Sequence, residues 1–253
     1  MAKAAGQMTP FNAYGKNIYS QNGEDGVVAE IIRRLGLSSG WFCEFGAWDG
    51  RYGSNTFALL KRGWRGVMIE GDPARFRDLK KTASRFPDTL HIFEAFVSTG
   101  NDDNSLDNIL SRTPIPSDFD VLSIDIDGSD YLVWQSLEKY RPKLVIIEID
   151  SSTLPGEDYI FQGGNRLTSF SAMLKLGRAK GYTLVCHTGN MLFIRNDLLD
   201  RLAIDEQFIA EPERLFISEW VAPTFVGTWR RKIKNMTWQR AVAKISVAMR
   251  RTS

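Results

Sequence analysis

Cysteine and histidine are scarce in this chain, with two of each among 253 residues. Cys43 and Cys186 both sit inside apolar runs, which suits buried free thiols. That usage excludes a disulfide framework and a Cys/His zinc site, and predicts a reducing compartment. No stretch approaches the ~18 apolar residues of a membrane span. The start Met1-Ala2-Lys3-Ala4-Ala5 has no apolar signal-peptide core, so a cytoplasmic location is expected. Two phosphate-binding patterns are missing as well. There is no G-x-x-x-x-G-K-[ST] loop, and Gly46-Ala47-Trp48-Asp49-Gly50 puts Trp48 where a dinucleotide fingerprint needs its second glycine.

What is present reads as a nucleoside site of another kind. The apolar Trp41-Phe42-Cys43 runs into Glu44-Phe45-Gly46, the pattern of a first parallel strand ending in a glycine turn beneath a ligand. Gly66-Val67-Met68-Ile69-Glu70 follows, another apolar run closed by an acid. Glu70 lies 24 residues after Gly46. In dinucleotide folds an acid about 20 residues on binds the ribose hydroxyl. A loop carrying Glu44 and Asp49 repels phosphates and suits a cation. S-adenosylmethionine, with a ribose, an ammonium, a sulfonium and no phosphate, fits that loop better than NAD or ATP.

Hydrophobic content of 43% and charged content of 25% are ordinary for a globular protein, and the length suits one α/β domain. A lead over 1–18 shows no periodicity and is expected to be mobile. Val27, Val28, Ile31, Ile32 and Leu35 then recur at helical spacing, with Gly36 as a stop. Strands are expected at about 41–45, 66–70, 90–97, 121–127, 144–150, 182–186 and 191–194, the last two as a hairpin. Helices fall near 53–62, 100–111, 129–141 and 168–180, with another starting at Pro73. This alternation predicts an α/β, Rossmann-like, doubly wound and mainly parallel sheet of seven strands with the last one antiparallel. The domain is expected over 19–227. From 228 to 253 a basic, helical tail follows; Trp229 to Ser253 holds eight basic residues and no acid. Those eight charges exceed the chain's net +2, so the body is mildly acidic.

Four stretches in order carry a resemblance: Tyr19-Ser20-Gln21-Asn22-Gly23-Glu24-Asp25, Glu44-Phe45-Gly46-Ala47-Trp48-Asp49-Gly50, Ile69-Glu70-Gly71-Asp72-Pro73 and Ser123-Ile124-Asp125-Ile126-Asp127-Gly128. Across about residues 19–195 the chain resembles the class I S-adenosylmethionine-dependent methyltransferases, and among them the FkbM-like group. The resemblance implies a seven-stranded sheet with its last strand antiparallel. It also implies O-methylation of a hydroxyl on a carbohydrate, glycolipid or related natural product, and a donor covered by Gln21 and Glu24. It does not reach the basic tail.

The candidate residues follow. Glu70 is expected to grip the ribose diol and Gly46 to let backbone approach the donor. Glu44, Asp49 and Asp125 are candidates for the donor's ammonium end, and Phe96 for the adenine. For Phe96 a core position is an equal alternative, and for Gln21 and Glu24 helix capping is. Asp125 and Glu148 are the candidate bases. His91 reads as structural, and His187 is weighed as a base against a structural role. In extended strands Asp125 and Asp127 would share a face, as would Glu148 and Asp150, although Asp127-Gly128 equally suits the turn before the next helix. Such carboxylates call for cations, protons or a metal; Asp125, Glu148 and Asp150 are the candidate ligands for Mg²⁺ or Mn²⁺. The tail suits helix packing, a homo-oligomer contact or peripheral contact with anionic lipid. No recognised module supports nucleic acid. The competing readings are an NAD-dependent oxidoreductase and a non-catalytic binding module.

Overall fold

The computed structural model describes residues 10–100, 102–164 and 166–218. The compact unit of the chain runs Met1–Ile217, and the expected tail over 228–253 lies outside the described residues. Within that unit α1 (Glu24–Leu35) leads into β1 (Trp41–Phe45), α2 (Phe57–Leu60), β2 (Arg65–Glu70), α3 (Pro73–Ala83) and β3 (Leu90–Glu94). Then come α4 (Leu106–Leu110), β4 (Val121–Ile124), α5 (Asp130–Ser136), β5 (Leu144–Glu148) and α6 (Phe170–Ala179). The hairpin β6 (Tyr182–His187) and β7 (Asn190–Arg195) and a short α7 (Glu206–Ala210) close it.

The seven strands form one sheet in the order β3-β2-β1-β4-β5-β7-β6. β7 pairs antiparallel with both β5 and β6, while the pairs from β3 through β5 are parallel. This is the expected Rossmann-like, doubly wound sheet with an antiparallel final strand. The chain starts at β1, winds outward through β2 and β3, then returns to β4 on β1's other side. That reversal opens a crevice beyond the carboxyl ends of β1 and β4, where ligands bind in such sheets.

Side-chain parity decides which acids face that crevice. Phe42, Met68, Val121, Leu144 and Ile146 face the cluster containing α1's Val27, Val28, Ile31, Ile32 and Leu35. Cys43, Phe45, Val67, Ile69, Leu122, Ile124, Val145 and Ile147 face the other cluster, with Trp134 and Phe170. Successive strand residues point to opposite faces. Glu44, Glu70, Ser123 and Glu148 therefore all turn toward the α1 side. Both cysteines are buried and free, as their apolar surroundings predicted.

Four differences from expectation have local causes. β4 stops at Ile124 because the N–H groups of Ile126 and Gly128 bond to the Asp130 carboxylate, not to a neighbouring strand. Asp127 consequently adopts φ +56°, so the turn alternative holds and the shared strand face does not. The helix expected over 53–62 is confined to Phe57–Leu60, because residues 54–56 instead bond to Glu44. The second half of the supposed lead belongs to the domain: Phe11–Tyr14 forms a 3-10 turn, Phe11 is buried, and Arg34 stacks over its ring at 4.6 Å. Among the described residues no helix is long and apolar enough to cross a membrane.

Candidate active site

The tips of β1 and β2 form a tightly bonded half of the crevice. Gly46 takes φ +73°, and a Cβ there would overlap the Asp125 carbonyl oxygen, so only glycine lets the β1 and β4 turns meet. Two residues on, Trp48 is held at φ +52°, a conformation that costs a non-glycine residue on the order of 1 kcal/mol or more. Its N–H donates to Glu70 Oε2 at 2.8 Å, and Arg75 lies over its ring at 4.5 Å. Glu70 Oε1 accepts from the Asp72 N–H at 2.7 Å. Burial raises the Glu70 pKa, opposed by those two backbone donors. The β2 tip thus holds a carboxylate oriented by backbone on both oxygens, each with a further lone pair.

Glu44 has a different part. It is 5% exposed, and accepts from Ser54 Oγ and Thr56 Oγ1, both at 2.6 Å, and from the Asn55 N–H at 2.9 Å. Asn55 Nδ2 continues the layer to Ser123 Oγ at 3.1 Å. Burial raises the Glu44 pKa and the three donors oppose it. Glu44 therefore fixes the loop that carries the site. Asp49 orders the same loop, accepting from the Arg51 and Tyr52 N–H groups at 2.9 and 2.7 Å. Phe96 is 69% exposed and lies beyond β3 against Gly71, where its ring occupies the space a Cβ would need. The core alternative for Phe96 fails, and the ring stands beside the Glu70 turn.

The tips of β4 and β5 form a more open half. Carboxylate oxygens of Asp125, Asp127 and Glu148 all lie within 4.8 Å of one another, with Asp127 exposed and the others half-buried. Asp150 does not join them. Its carboxylate accepts from Ser152 Oγ at 2.5 Å, the Ser152 N–H at 3.1 Å and Thr153 Oγ1 at 3.0 Å, closing the turn after β5. The clustered acids thus differ from the expected metal ligands by one member, Asp127 standing beside Asp125 and Glu148 where Asp150 was expected. Beneath the turn, Asp130 is 2% exposed, and burial pushes its pKa up to about 6, with Asp125 nearby adding to the rise.

The segment 19–25 borders the crevice on the α1 side. Gln21 is exposed and its side chain lies against Gly53, at the end of the β1 loop. Glu24 is fully buried; Oε1 accepts from Thr188 Oγ1 at 2.8 Å and Asn190 Nδ2 at 3.2 Å, and Oε2 from the Asn22 N–H at 2.9 Å. Its carboxylate, with a pKa raised by burial, ties α1 to the β6–β7 hairpin. Asp25 Oδ2 gathers the N–H groups of Ile18, Tyr19 and Ser20 at 2.7–2.8 Å, shaping the loop before the helix.

His187 is structural. Its ring is fully buried, stacks on Phe216 at 5.0 Å, accepts the Ile217 N–H at Nδ1, and meets Ser151 Oγ at Nε2, 2.9 Å away. Burial lowers its pKa to about 4. With Nδ1 accepting, the neutral ring carries its proton on Nε2 and donates to Ser151, which itself donates to the Gly189 carbonyl at 2.8 Å. His91 stacks on Trp41 at 6.0 Å and is structural too.

The structure thus brings together Gly46, Glu70 and Asp125, with Asp49 and Phe96 along one side and Glu148 on the other. Sequence reasoning missed Ser54, Asn55 and Thr56, which bond Glu44; Thr188 and Asn190, which bond Glu24; and Ser123, which accepts from Asn55. It also missed the role of Asp130, although the spacing Asp125-x-Asp127-Gly-x-Asp130 was there to be seen.

Residues 101–184 match the model of the methyltransferase FkbM domain. No curated protein matches the chain. Solved structures include a SAM-dependent methyltransferase from Aquifex aeolicus, 9% identical, covering 66% of this chain and 88% of that one at a TM-score of 0.40. An O-methyltransferase family protein from Burkholderia thailandensis is 13% identical over 66% of this chain and 54% of that one, TM-score 0.44. M. capricolum TrmK, solved with S-adenosyl-homocysteine, is 10% identical over 71% and 73%, TM-score 0.41. At such scores the weight rests on the sheet, the matched residues and the motifs. With its seven-stranded sheet and the match over residues 101–184, this chain is similar to the FkbM-like class I S-adenosylmethionine-dependent methyltransferases.

Proposed function

We propose that this protein transfers a methyl group from S-adenosylmethionine to a hydroxyl of a carbohydrate, glycolipid or related natural product. One observation carries the reading: a backbone-oriented Glu70 beside a glycine turn faces, across the β1/β4 crevice, the Asp125–Asp127–Glu148 group. The first half suits a ribose diol. The second suits a cationic group and an acceptor hydroxyl.

The donor supplies an electrophilic methyl carbon and a neutral thioether leaving group. Asp125 and Glu148 would orient the acceptor hydroxyl at about 3–3.5 Å from that carbon, in line with the departing sulfur. Asp125, the first candidate base with Glu148 second, takes the hydroxyl proton as the O–C bond forms and the C–S bond breaks. The products are a methyl ether and S-adenosylhomocysteine. Asp125, Asp127 and Glu148 also offer the hard oxygen ligands that Mg²⁺ or Mn²⁺ prefers, and such an ion would lower the hydroxyl pKa.

The competing oxidoreductase needs a pyrophosphate berth, which Trp48 at the second-glycine position does not provide. Binding of S-adenosylhomocysteine and NAD, measured side by side, separates the two; preference for NAD overturns the proposal. Methyl transfer to a panel of sugars and lipid-linked glycans then defines the acceptor. Loss of turnover in chelator, restored by Mg²⁺ or Mn²⁺, would establish the metal, and indifference to chelator removes it. A cytoplasmic location, with the basic tail reaching anionic lipid or a second copy of the chain, belongs to the same proposal. Tail deletion should abolish vesicle binding or lower the oligomeric state. Should it abolish membrane localisation of a protein that methylates nothing, the binding-module reading gains.

A further inference from the structure

The turn after β4 carries two of the three clustered carboxylates, yet it has no regular secondary structure to hold it. Strand pairing ends with Ile124, and α5 starts only at Asp130. Between them Asp127 sits at φ +56°, which a non-glycine residue adopts only when its surroundings impose it. One buried side chain bonds the backbone on both sides of it. Asp130 Oδ1 accepts the Ile126 N–H and Oδ2 accepts the Gly128 N–H, both at 2.9 Å, so a single carboxylate bridges the residues on either side of Asp127. Two further contacts clamp the same turn. Gly46 lies under the Asp125 carbonyl, and a Cβ at Gly128 would meet the Phe161 ring at 2.7 Å.

We propose that Asp130 is a positioning residue that sets the carboxylates of Asp125 and Asp127 at the crevice. The inference rests on the reading of that crevice as the methyl-transfer site. A carboxylate suits the task because it offers acceptors on both arms of a rigid fork, and charge-assisted bonds to backbone N–H groups are the stronger kind. An amide has an acceptor on one arm only. Asp130→Asn would therefore keep the shape but face one of the two N–H groups with another donor. The expected consequence is a turn that loosens, an Asp127 that leaves its left-handed conformation, and a misplaced Asp125. Misplacement on the order of 1 Å is enough to reduce turnover about a hundredfold.

Asp120, at the opposite end of β4, provides the control. It too is buried and bonded on both oxygens, to the Trp41 N–H at 2.8 Å and Lys143 Nζ at 2.6 Å, but it lies at the amino end of the strand, away from the crevice. Asp130→Asn and Asp120→Asn should both lower the urea midpoint. Only Asp130→Asn should expose the Ile126 or the Gly128 amide to hydrogen exchange and shift the Asp127 Cα resonance out of its left-handed range. Only Asp130→Asn should lower kcat about tenfold to a hundredfold, with S-adenosylhomocysteine affinity changed less than about threefold. If Asp130→Asn does not fold, Asp130→Ser, which keeps a short acceptor, is read the same way. Ile126 and Gly128 amides that both stay unchanged overturn the proposal whatever the activity. So does a released turn with full turnover, and so does a kcat loss that Asp120→Asn shares. If the native protein methylates no acceptor, the functional reading fails by itself, and the Ile126, Gly128 and Asp127 signals still decide whether Asp130 holds the turn.

Discussion

The two halves of the crevice are built differently although both are made of acids at strand tips. On the β1–β2 side, Glu44 and Glu70 are 5% and 4% exposed, and each carboxylate oxygen meets a backbone or hydroxyl donor. On the β4–β5 side, Asp125, Asp127 and Glu148 are more open and gather within 4.8 Å of one another. Buried carboxylates need bonded donors to be tolerated, and such bonds freeze geometry. Like charges in proximity instead invite a proton or a cation. The first half is therefore fixed by the protein's own donors, and under the proposed function it would receive a neutral diol. The second gathers three carboxylates in a more open setting.

That contrast is broken most directly at Asp125. Asp125→Asn should reduce methyl transfer about 10²- to 10⁴-fold, the usual contribution of a general base, while S-adenosylhomocysteine affinity changes little. If affinity falls and kcat stays, Asp125 belongs to the donor half and the comparison collapses. Behind the open half, buried His187 gives a test by pH. Its folded pKa of about 4 lies below the ordinary 6.5, so on acidification the unfolded chain takes up a proton that the folded one refuses. Its contribution to stability is complete above pH 6.5 and is lost as pH falls toward 4, amounting to about 3 kcal/mol. Asp130, pushed up to about 6 from 3.8, acts oppositely, gaining stability over pH 6 to 4. The difference in urea midpoints between native protein and His187→Gln isolates the histidine. A difference that does not change across pH 4–6.5 would contradict the buried neutral ring.

At the donor half the effects are smaller. Glu70→Ala should weaken S-adenosylhomocysteine by about 1.5–3 kcal/mol through lost charge-assisted hydrogen bonds, roughly ten- to hundredfold. Unchanged affinity in a folded variant removes Glu70 from the site. Glu44→Gln sharpens the division within that half, because Glu44 bonds the 54–56 loop. Stability should drop by about 1–2 kcal/mol in urea unfolding with donor affinity nearly intact. A large affinity loss would make Glu44 a ligand contact after all.

The alternation of strands and helices, the hairpin and the strand ends bearing Glu44, Glu70, Asp125 and Glu148 were legible because apolar runs and glycine turns are local signals. Less legible were the side-chain partners. Glu24 looked like a donor contact, but Thr188 and Asn190, more than 160 residues away, hold it. Asp150 looked like a metal ligand until Ser152 and Thr153 took its oxygens. Phe96 looked as much like core as like an adenine contact, and the early end of β3, which leaves it exposed, removed the core reading.

By itself the sequence determined the sheet, the strand ends at which its acids lie and the exclusion of a pyrophosphate loop, since periodicity and φ > 0 glycines depend on neighbours along the chain. Tertiary structure alone decided which carboxylates are committed to the protein and which meet in the crevice. A carboxylate's role depends on the donors brought to it in space, and those donors arrive from segments whose separation no local pattern encodes.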